Sequence, residues 1–212
     1  LTSPMQLYCH NMTTEEPLEY LELVNIDGDR NFSQFTQDLD GGAALERNPN
    51  VRTYYYRIRL DPVTLIVDRN DLTFTQSTGG PVVFQREDQG ERNTADELYS
   101  ENVPYGSALS CHRSGVGIGI GNVDLRGTDF ALGDSTIFQG TGWQEDGQTF
   151  PEGEDMRIDV PNSEDPMLVI QGPYFQDVTF EGGGYCGSLR VGSMNPDGSV
   201  SGRIILKYIG NQ

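Results

Sequence analysis

The segment YYYRIRL (residues 54–60) carries the pattern that decides the fold class. It alternates with a period of two, which is the period of side chains along a β-strand. Three further segments follow at short intervals, each short and rich in β-branched or aromatic residues: VTLIVD (63–68), DLTFTQ (71–76) and PVVFQ (81–85). Because such runs separated by turn residues are typical of strands, the sequence predicts a succession of short strands.

The same kind of segment continues toward the end of the chain. Further strand candidates are STIFQG (135–140), MRIDV (156–160), MLVIQG (167–172), DVTFEG (177–182), SLRVGSM (188–194) and SVSGRIILKYI (199–209). Asn195-Pro196-Asp197-Gly198 separates the last two and predicts a tight turn, since Pro fixes φ and Asp and Gly accept turn geometry. Helical periodicity is scarce, and its best candidate, EEPLEYLELV (15–24), reads equally well as a strand.

The chain has 212 residues, including 26 Gly and 11 Pro, and neither a linker nor a repeat of fixed period divides it. We therefore predict an all-β fold: a single-domain antiparallel β-sandwich or barrel-like fold with long acidic loops and little helix. The predicted loops are residues 85–110, interpreted as a long exposed excursion, and residues 146–155.

The formal net charge is −18. Such a charge argues against binding to nucleic acid or to anionic surfaces, and it favours cations or basic partners. No apolar run approaches the roughly 20 residues that a membrane helix needs, so we expect no membrane insertion. The sequence itself leaves the oligomeric state open.

Cysteines and glycosylation sequons both favour a secreted chain. Cys9, Cys111 and Cys186 are far apart and form no C-x-x-C pair, so they are disulfide candidates rather than zinc ligands, with one thiol left over. Asn11-Met12-Thr13 and Asn31-Phe32-Ser33 make Asn11 and Asn31 candidate glycosylation sites. The first residue, Leu1, and the absence of a signal-like segment fit a processed, mature chain, and they equally fit a trimmed sequence.

Four glycines alternate with β-branched residues in GVGIGIG (115–121). No register of this segment fits the dinucleotide fingerprint G-x-G-x-x-G, and the pattern that follows is that of a strand. We predict a strand with Val116, Ile118 and Ile120 packed in the core. The opposite face is then bare, and either another chain segment or a ligand covers it. The candidate binding surface comprises Gly115, Gly117, Gly119, Gly121 and the single tryptophan, Trp143.

Catalytic residues are not evident. Each of the two histidines, His10 and His112, directly follows a cysteine, and adjacent strand residues face opposite ways. Asp27, Asp29 and Asn31 place oxygen ligands at alternating positions, as at the start of an EF-hand loop, and are candidate calcium ligands. The rest of that loop pattern fails, so an ordinary polar turn is the alternative. No cofactor other than calcium is indicated.

One long block, LYCHNMTTEEPLEYLELVNIDGDRNFSQF (7–35), resembles the opening of the GON domain, which is found at the C-terminus of some secreted metalloproteases with thrombospondin repeats. The shared features are a hydrophobic-Tyr-Cys, a nearby Met, Pro-x-Glu-Tyr-Leu-x-Leu and Asn-Phe-Ser. Residues 55–84 and GGGYCG (182–187) resemble later blocks of the family. The resemblance covers residues 7–209 as a single GON-like domain, with an N-terminal segment (1–6) and a tail (210–212).

The family is rich in cysteine, whereas this chain keeps only three. The resemblance implies an extracellular, non-catalytic β-domain, free-standing or cut from a larger precursor. We therefore expect a secreted binding or structural module, not an enzyme, whose acidic surface meets an extracellular protein, a mineral or cations. Two other hypotheses remain: a lectin-like sandwich that binds glycans through Trp143 or the tyrosines, and an unrecognised enzyme.

Overall fold

A computed structural model describes residues 5–14, 17–36, 50–79, 82–84, 98–100, 102–110, 119–141, 157–159, 175–182 and 187–210. This part of the chain consists of strands joined by turns and contains no helix. Accordingly, it offers no helical segment of the length and apolarity that crossing a membrane requires. The strands are β1 (Tyr8–His10), β2 (Leu18–Glu22), β3 (Phe32–Thr36), β4 (Asn50–Tyr55), β5 (Arg57–Leu60), β6 (Ile66–Asp68), β7 (Thr75–Gly79), β8 (Val82–Phe84), β9 (Leu98–Ser100), β10 (Ser107–Ser110), β11 (Gly119–Asp124), β12 (Phe130–Leu132), β13 (Thr136–Thr141), β14 (Arg157–Asp159), β15 (Asp177–Gly182), β16 (Gly187–Met194), β17 (Val200–Ser201) and β18 (Ile204–Tyr208).

Two large sheets hold sixteen of these strands. The six-stranded sheet has the order β1-β2-β5-β6-β18-β12. The ten-stranded sheet has the order β13-β16-β10-β3-β11-β15-β14. In addition, β17 pairs with β16, β4 pairs with β3, and β7 pairs with β4, while β8 and β9 form a separate pair. Neighbouring strands are antiparallel except β3 and β10, which are parallel. The two sheets pack on each other, so the predicted all-β sandwich is confirmed.

The YYYRIRL segment crosses from one sheet to the other. The sequence pattern suggests one strand, but β4 ends at Tyr55 in the ten-stranded sheet and β5 begins at Arg57 in the six-stranded sheet. Tyr55 and Ile58 are both buried, although an uninterrupted strand would place them on opposite faces. The bend at Tyr56 resets the alternation, and this residue links the Leu23 N–H and the Phe74 carbonyl, both at 3.0 Å.

The C-terminal segment crosses between the sheets in the same way. SVSGRIILKYI divides into β17, which pairs with β16, and β18, which pairs with β6 and β12. The tight turn predicted before it is present: the Gly198 N–H donates to the Asn195 carbonyl at 2.9 Å, and Gly198 has a φ of +81°. Strands that change sheet at a bend are how sandwiches build their corners.

Arg69, which directly follows β6, connects the two sheets. Its guanidinium donates to the carbonyls of Tyr105 (2.9 Å) and Gly106 (2.9 Å) at the start of β10 and to that of Val191 (3.4 Å) in β16. It also reaches the Gly202 carbonyl at 3.1 Å, between β17 and β18. Burial, together with the charge of Arg190, lowers the pKa of Arg69 to about 10. A single side chain thus joins three separate stretches of backbone to its own.

The core lies between the sheets and draws on both. Nineteen buried residues form one continuous cluster, to which aromatic rings contribute much of the area; each fully buried large side chain stabilises the fold by about 1.5–3 kcal/mol. Its largest completely buried members include Tyr55, Tyr105, Phe130 and Phe180. Phe138 of β13 and Phe180 of β15 have ring centroids 5.6 Å apart although their strands are distant in the sheet order, which shows that the ten-stranded sheet curves.

The interpretation of residues 85–110 as an exposed excursion is wrong for its second half. Val103, Tyr105 and Ala108 are each at most 1% exposed, and β10 lies in the middle of the ten-stranded sheet between β16 and β3. The Tyr55 hydroxyl donates to the Val103 carbonyl at 2.6 Å. The sequence of this segment gives only a weak signal for burial, because it contains few apolar residues. Each of them is buried by strands that are distant in sequence.

Candidate functional site

Asn31 stands at the centre of a buried polar cluster formed by Arg30, Asn31, Asn122, Asp124, Arg126 and Asp177, called the Asn31 cluster below. Asn31 itself is fully buried and has a φ of +47°, a left-handed conformation that asparagine tolerates better than most residues. Its amide nitrogen donates to the carbonyls of Asn25 (2.8 Å) and Asp124 (2.7 Å). Its amide oxygen accepts from the Tyr105 hydroxyl and the Asp124 N–H, both at 2.9 Å.

The main-chain N–H and carbonyl groups of Asn31 are hydrogen-bonded as well. The Asn31 N–H donates to the Asn122 amide oxygen at 2.9 Å, and its carbonyl accepts from the Tyr55 N–H at 2.9 Å. Six hydrogen bonds therefore fix one residue to two strands, β4 and β11, and two loops. Burial, and secondarily the charge of Asp124, raises the pKa of Tyr105 well above its ordinary value, so this hydroxyl remains a donor.

Two arginines and two aspartates form the charged part of the cluster. Arg30 binds both carboxylate oxygens of Asp177, at 2.9 and 2.8 Å, and Arg126 reaches the same carboxylate at 2.9 Å. Arg126 also forms a two-pronged pair with Asp124, whose side chain is fully buried. Burial by itself would raise the pKa of Asp124, but hydrogen bonds from Arg126 and Asn25 outweigh it and lower this pKa below its ordinary value. The hydrogen bond to Asp124 raises the pKa of Arg126.

The formal charges of the cluster cancel, and its carboxylates are committed to guanidinium groups. A cation would have to displace those arginines, so the arrangement is a structural network in its present form. Within the described ranges, no group of three His, Cys, Asp or Glu side chains is placed to hold a metal ion. The role of the cluster is positioning: it fixes the start of β3 against the end of β11 and the start of β15.

The proposed calcium ligands are not brought together. Asp27 is exposed, and the Asp29 carboxylate, 80% exposed, pairs with Arg52. Asn31 points into the protein, and its amide oxygen already accepts two hydrogen bonds. The prediction of a site at Asp27, Asp29 and Asn31 is therefore corrected, because the chain turns inward at the third position. The alternative interpretation, a polar turn, describes this segment.

The two sequons have different surroundings. Asn31 has no exposed surface and both of its amide hydrogens are bonded, so a glycan cannot be attached to it in the folded chain. That prediction is corrected too. Asn11 is exposed, as attachment of a glycan requires, and its carbonyl accepts from Thr14 at a turn. Glycosylation at Asn11 remains a prediction.

The glycine strand has the opposite orientation to the predicted one. Gly119, Gly121 and Val123 share the buried face of β11, whereas Ile120 is only partly buried on the other face beside Asn122. A Cβ added at Gly121 would lie 2.4 Å from the ring of Phe180, and one at Gly119 would lie 2.3 Å from the backbone of Leu109. The ring of Phe180 and the backbone of Leu109 therefore cover this face at Gly121 and Gly119. Of the two predicted coverings, a chain segment or a ligand, these positions have the chain segment.

The remaining candidates divide between an exposed thiol and residues beyond the described part. Cys9 is exposed and makes no disulfide with any described residue. Cys111, Cys186, Gly115, Gly117 and Trp143 lie outside the described residues. Their assignment as disulfide partners or as parts of a binding surface remains a prediction.

An aromatic cluster lies at the β1–β2 edge of the six-stranded sheet. The ring of Phe74 contacts Tyr8, His10 and Tyr20 edge-on, with centroids 5.6, 5.2 and 4.8 Å away. The guanidinium of Arg57 lies 4.1 Å from the centroid of Tyr8. His10 is therefore a packing residue of this cluster, and Tyr8, 38% exposed, is its most exposed member.

Sequence reasoning did not single out most of these residues. The weak signal for the Asn31 cluster is polar alternation: Asn122 and Asp124 occupy one face of β11 while Val123 occupies the other. Buried polar faces of this kind need hydrogen-bonding partners, but the partners come from strands far away in sequence. Arg30, Arg126 and Asp177 carried no local signal.

Comparison with models of known families identifies the family of this chain, which the geometry alone does not identify. The model of the GON domain matches residues 2–194, which is most of the chain. This protein belongs to the GON domain family. Comparison with curated protein sequences and with solved structures gives no match. The GON domain is an extracellular, non-catalytic module of secreted proteins.

The family match ends at Met194, but the fold of this GON domain continues beyond it. The later strand β18 (Ile204–Tyr208) lies inside the six-stranded sheet between β6 and β12, and Ile204 and Leu206 are core residues. The last strand is therefore an integral part of the sandwich.

Acidic charge is distributed unevenly along this GON domain. The described residues contain ten Lys and Arg and fourteen Asp and Glu, a net charge of −4. The rest of the chain contains four Arg and eighteen Asp and Glu, a net charge of −14. Among the described residues, Arg30, Arg52, Arg57, Arg59, Arg126 and Lys207 form ion pairs with carboxylates. Most of the net negative charge belongs to residues outside the described ranges.

Proposed function

We propose that this GON domain is a secreted binding module in which the strand framework presents acidic segments to a cationic partner. The observation that carries the proposal is the net charge of −18, of which two short stretches of sequence, residues 85–101 at −4 and residues 145–155 at −5, contribute half. A high local density of one sign of charge attracts and concentrates partners of the opposite sign. The partner therefore presents several positive charges together, as a calcium mineral surface or a basic protein segment does.

The absence of catalysis is part of the same proposal. Family membership supports it, and so do the structural tasks of three described ionisable residues. His10 packs against Phe74 and Tyr20, and Asp124 and Asp177 bind arginines. Catalytic groups are recognised by reactive pairs in a cleft, and these groups are instead committed to packing and ion pairs.

Two variants with the same change in charge test the proposal. The segment variant neutralises five acidic residues between two strands, and the framework variant neutralises five exposed acidic residues on or beside the strands. The segment substitutions are Glu87→Gln, Asp88→Asn, Glu91→Gln, Asp96→Asn and Glu97→Gln. The framework substitutions are Glu22→Gln, Asp27→Asn, Asp29→Asn, Asp68→Asn and Asp134→Asn.

Binding is measured with two probes, calcium phosphate mineral particles and polylysine, at several concentrations of NaCl. We expect the segment variant to lose more affinity than the framework variant for at least one probe, and added salt to weaken binding because exposed charges are screened. The probe for which the two variants differ in affinity identifies the kind of cationic partner. Equal losses in both variants for both probes would reject the proposal.

Glycan binding is a second candidate, favoured by the exposed ring of Tyr8. This ring is 38% exposed and is held in place by Phe74 and Arg57, so it offers a rigid surface on which a sugar ring can stack. A glycan array probed with the wild type and with Tyr8→Ala tests it, with Val63→Ala as a control at another exposed apolar residue. Binding that survives Tyr8→Ala would exclude this surface.

A further inference from the structure

The dipeptide Asp-Gly occurs twice in the described part of the chain, at Asp27-Gly28 and at Asp197-Gly198. Both aspartates are exposed, and both glycines have a positive φ, +68° at Gly28 and +81° at Gly198. Asp followed by Gly is prone to close a succinimide ring, because glycine has no side chain to obstruct attack of its main-chain nitrogen on the aspartate carboxyl group. The two sites therefore share the same chemistry, and only their hydrogen bonds distinguish them.

At Asp197 both reacting groups are held by hydrogen bonds. The carboxylate accepts from the Ser199 hydroxyl at 2.6 Å and from the Ser199 N–H at 2.9 Å. These two bonds lower the pKa of Asp197, so less of it is in the protonated form that loses water readily. The attacking nitrogen is held as well, since the Gly198 N–H donates to the Asn195 carbonyl at 2.9 Å. Ring closure at Asp197 must first break these bonds.

Asp27 and Gly28 have neither restraint. Within the described ranges, no group donates to the Asp27 carboxylate and none accepts from the Gly28 N–H. A Cβ at Gly28 would meet nothing within 4 Å, so the space around the reacting atoms is open. The loop that carries them is closed behind them, because the Asn31 side-chain amide donates to the Asn25 carbonyl at 2.8 Å. The Asp27-Gly28 pair is thus the unrestrained tip of a closed loop.

We propose that Asp27 is a site of spontaneous isomerisation in the folded chain, from which the fold protects Asp197. The Gly28 nitrogen attacks the side-chain carboxyl carbon of Asp27. A C–N bond forms, the C–OH bond breaks, and the nitrogen gives up its proton, so that one water molecule leaves and a succinimide remains.

The second step returns the water. Hydrolysis of the ring at one carbonyl restores aspartate, and hydrolysis at the other gives isoaspartate, in which the main chain runs through the former side chain. The reaction neither oxidises nor reduces any group, and it needs no other reactant. An asparagine at position 27 closes the same ring with loss of ammonia, so the framework variant, which carries Asp27→Asn, is assayed freshly purified.

Isoaspartate at position 27 adds one carbon atom to the main chain between Asn25 and Asn31. Asn25 is fixed on its other side, since its amide donates to the Asp124 carboxylate at 3.2 Å and to the Arg126 carbonyl at 3.1 Å. Lengthening a loop whose two ends are fixed disturbs the hydrogen bond that closes it, and that bond belongs to the Asn31 cluster. We therefore expect isomerisation at this exposed tip to weaken the buried cluster.

Two proteases used in succession measure isomerisation at both sites in one sample. Trypsin releases Asp27 in fragment 1–30 and Asp197 in fragment 191–203. Endoproteinase Asp-N then cleaves before aspartate but not before isoaspartate, so the uncleaved fraction at each position measures the product. During storage of the purified full chain at neutral pH and physiological temperature, isoaspartate should accumulate about tenfold or more faster at Asp27, because several hydrogen bonds oppose ring closure at Asp197. Equal accumulation at the two sites would overturn the inference.

Storage in urea separates the effect of the fold from that of the dipeptide. In the unfolded chain the two rates should converge, because the reacting residues are the same at both sites. Ser199→Ala removes the hydroxyl donor and should raise the rate at Asp197 in the folded chain, with the rate at Asp27 unchanged. A difference between the sites that persists undiminished in urea, or an unchanged Asp197 rate in Ser199→Ala, would contradict protection by the fold.

Thermal unfolding measures the effect of the modification on the cluster. Wild type converted at Asp27 by storage should melt about 2–4 °C below fresh wild type, the size expected for loss of one hydrogen bond. Asp27→Glu is the matched control, because its longer side chain closes a six-membered imide only slowly, and its melting temperature should not change on storage. Conversion of Asp27 without a fall in melting temperature would refute the link to the Asn31 cluster.

Discussion

The ring of Phe180 lies over Gly121 on the neighbouring strand. The two residues are direct cross-strand partners in β15 and β11, and a methyl group at position 121 would lie 2.4 Å from the ring. The exposed backbone of a strand glycine is thereby covered by an aromatic side chain that is itself completely buried. The contact explains why the glycine-rich segment, at least over Gly119 and Gly121, belongs to the core rather than to a ligand site.

Gly121→Ala should destabilise the domain by about 1–3 kcal/mol, because the added methyl group overlaps the ring of Phe180 and forces it out of place. Urea unfolding measures the loss. Phe180→Leu in the same chain should recover part of it, because a smaller side chain leaves room for the methyl group, although Phe180→Leu alone is itself destabilising. Gly202→Ala is the matched control, since nothing lies within 4 Å of a Cβ at that position. Equal losses at positions 121 and 202 would contradict the packing described.

Asn31→Ala should cost about 3 kcal/mol or more of unfolding free energy. It leaves the buried Tyr105 hydroxyl and the Asp124 N–H without an acceptor, and each stranded buried group costs about 1–3 kcal/mol. Asn11→Ala is the control, because Asn11 is exposed and has a similar positive φ, +55° against +47°. Because both positions have a positive φ, the contribution of backbone strain cancels when the losses of unfolding free energy of the two variants are subtracted. A difference below about 1 kcal/mol would show that the Asn31 cluster does not hold the fold together.

Arg69→Lys should lower stability by about 2 kcal/mol although the positive charge is kept. An ammonium group has three donors at one point and cannot reach the separate carbonyls of Tyr105, Val191 and Gly202 that the planar guanidinium connects. Arg203→Lys, at an exposed position, should change little. Melting temperatures of both variants measured by circular dichroism check this, and an unchanged value for Arg69→Lys would mean that the guanidinium fork is dispensable.

Acid should weaken the Asn31 cluster through Asp124. The folded-state pKa of this carboxyl is lower than its ordinary value, so its stabilising effect is complete above the unfolded-state pKa of about 3.9 and is lost as the pH falls through the folded-state pKa. Asp124→Asn should therefore cost about 2 kcal/mol near pH 7, a value reduced for the partial exposure of Arg30 and Arg126.

The loss caused by Asp124→Asn should stay constant from pH 7 to about pH 5 and shrink below about pH 4, as measured by urea unfolding across this range. Asp134→Asn breaks an exposed ion pair with Lys207 and should cost under about 0.5 kcal/mol at every pH. A loss for Asp124→Asn that persists undiminished to pH 3 would contradict the role given to its charge.

The sequence was sufficient for the strands that have clear alternation and turn signals. DVTFEG corresponds to β15, SLRVGSM lies within β16, and the Asn195–Gly198 turn occurs where its residues predict. Local pattern could not show that YYYRIRL and SVSGRIILKYI each supply strands to two different sheets. A change of sheet depends on which distant strand offers a free edge, and that information is not local.

The candidate site was less predictable, for a related reason. Asn31 fits both a sequon and an alternating set of oxygen ligands, and each pattern presumes an exposed side chain. Burial of Asn31 is decided by Tyr105, Asn122 and Asp124, which are 74 to 93 positions away. Short motifs carry no information about such partners, so both interpretations were wrong in the same way.

The most direct test of the proposed function is the ratio of the dissociation constants of the segment and framework variants toward the same cationic probe at low salt. Each variant removes five negative charges, so non-specific attraction changes equally in both. If the segments between strands form the binding surface, the segment variant should bind about tenfold or more weakly than the framework variant, since five exposed charge pairs contribute roughly 0.2–1 kcal/mol each. A ratio near one for both calcium phosphate and polylysine would contradict the account.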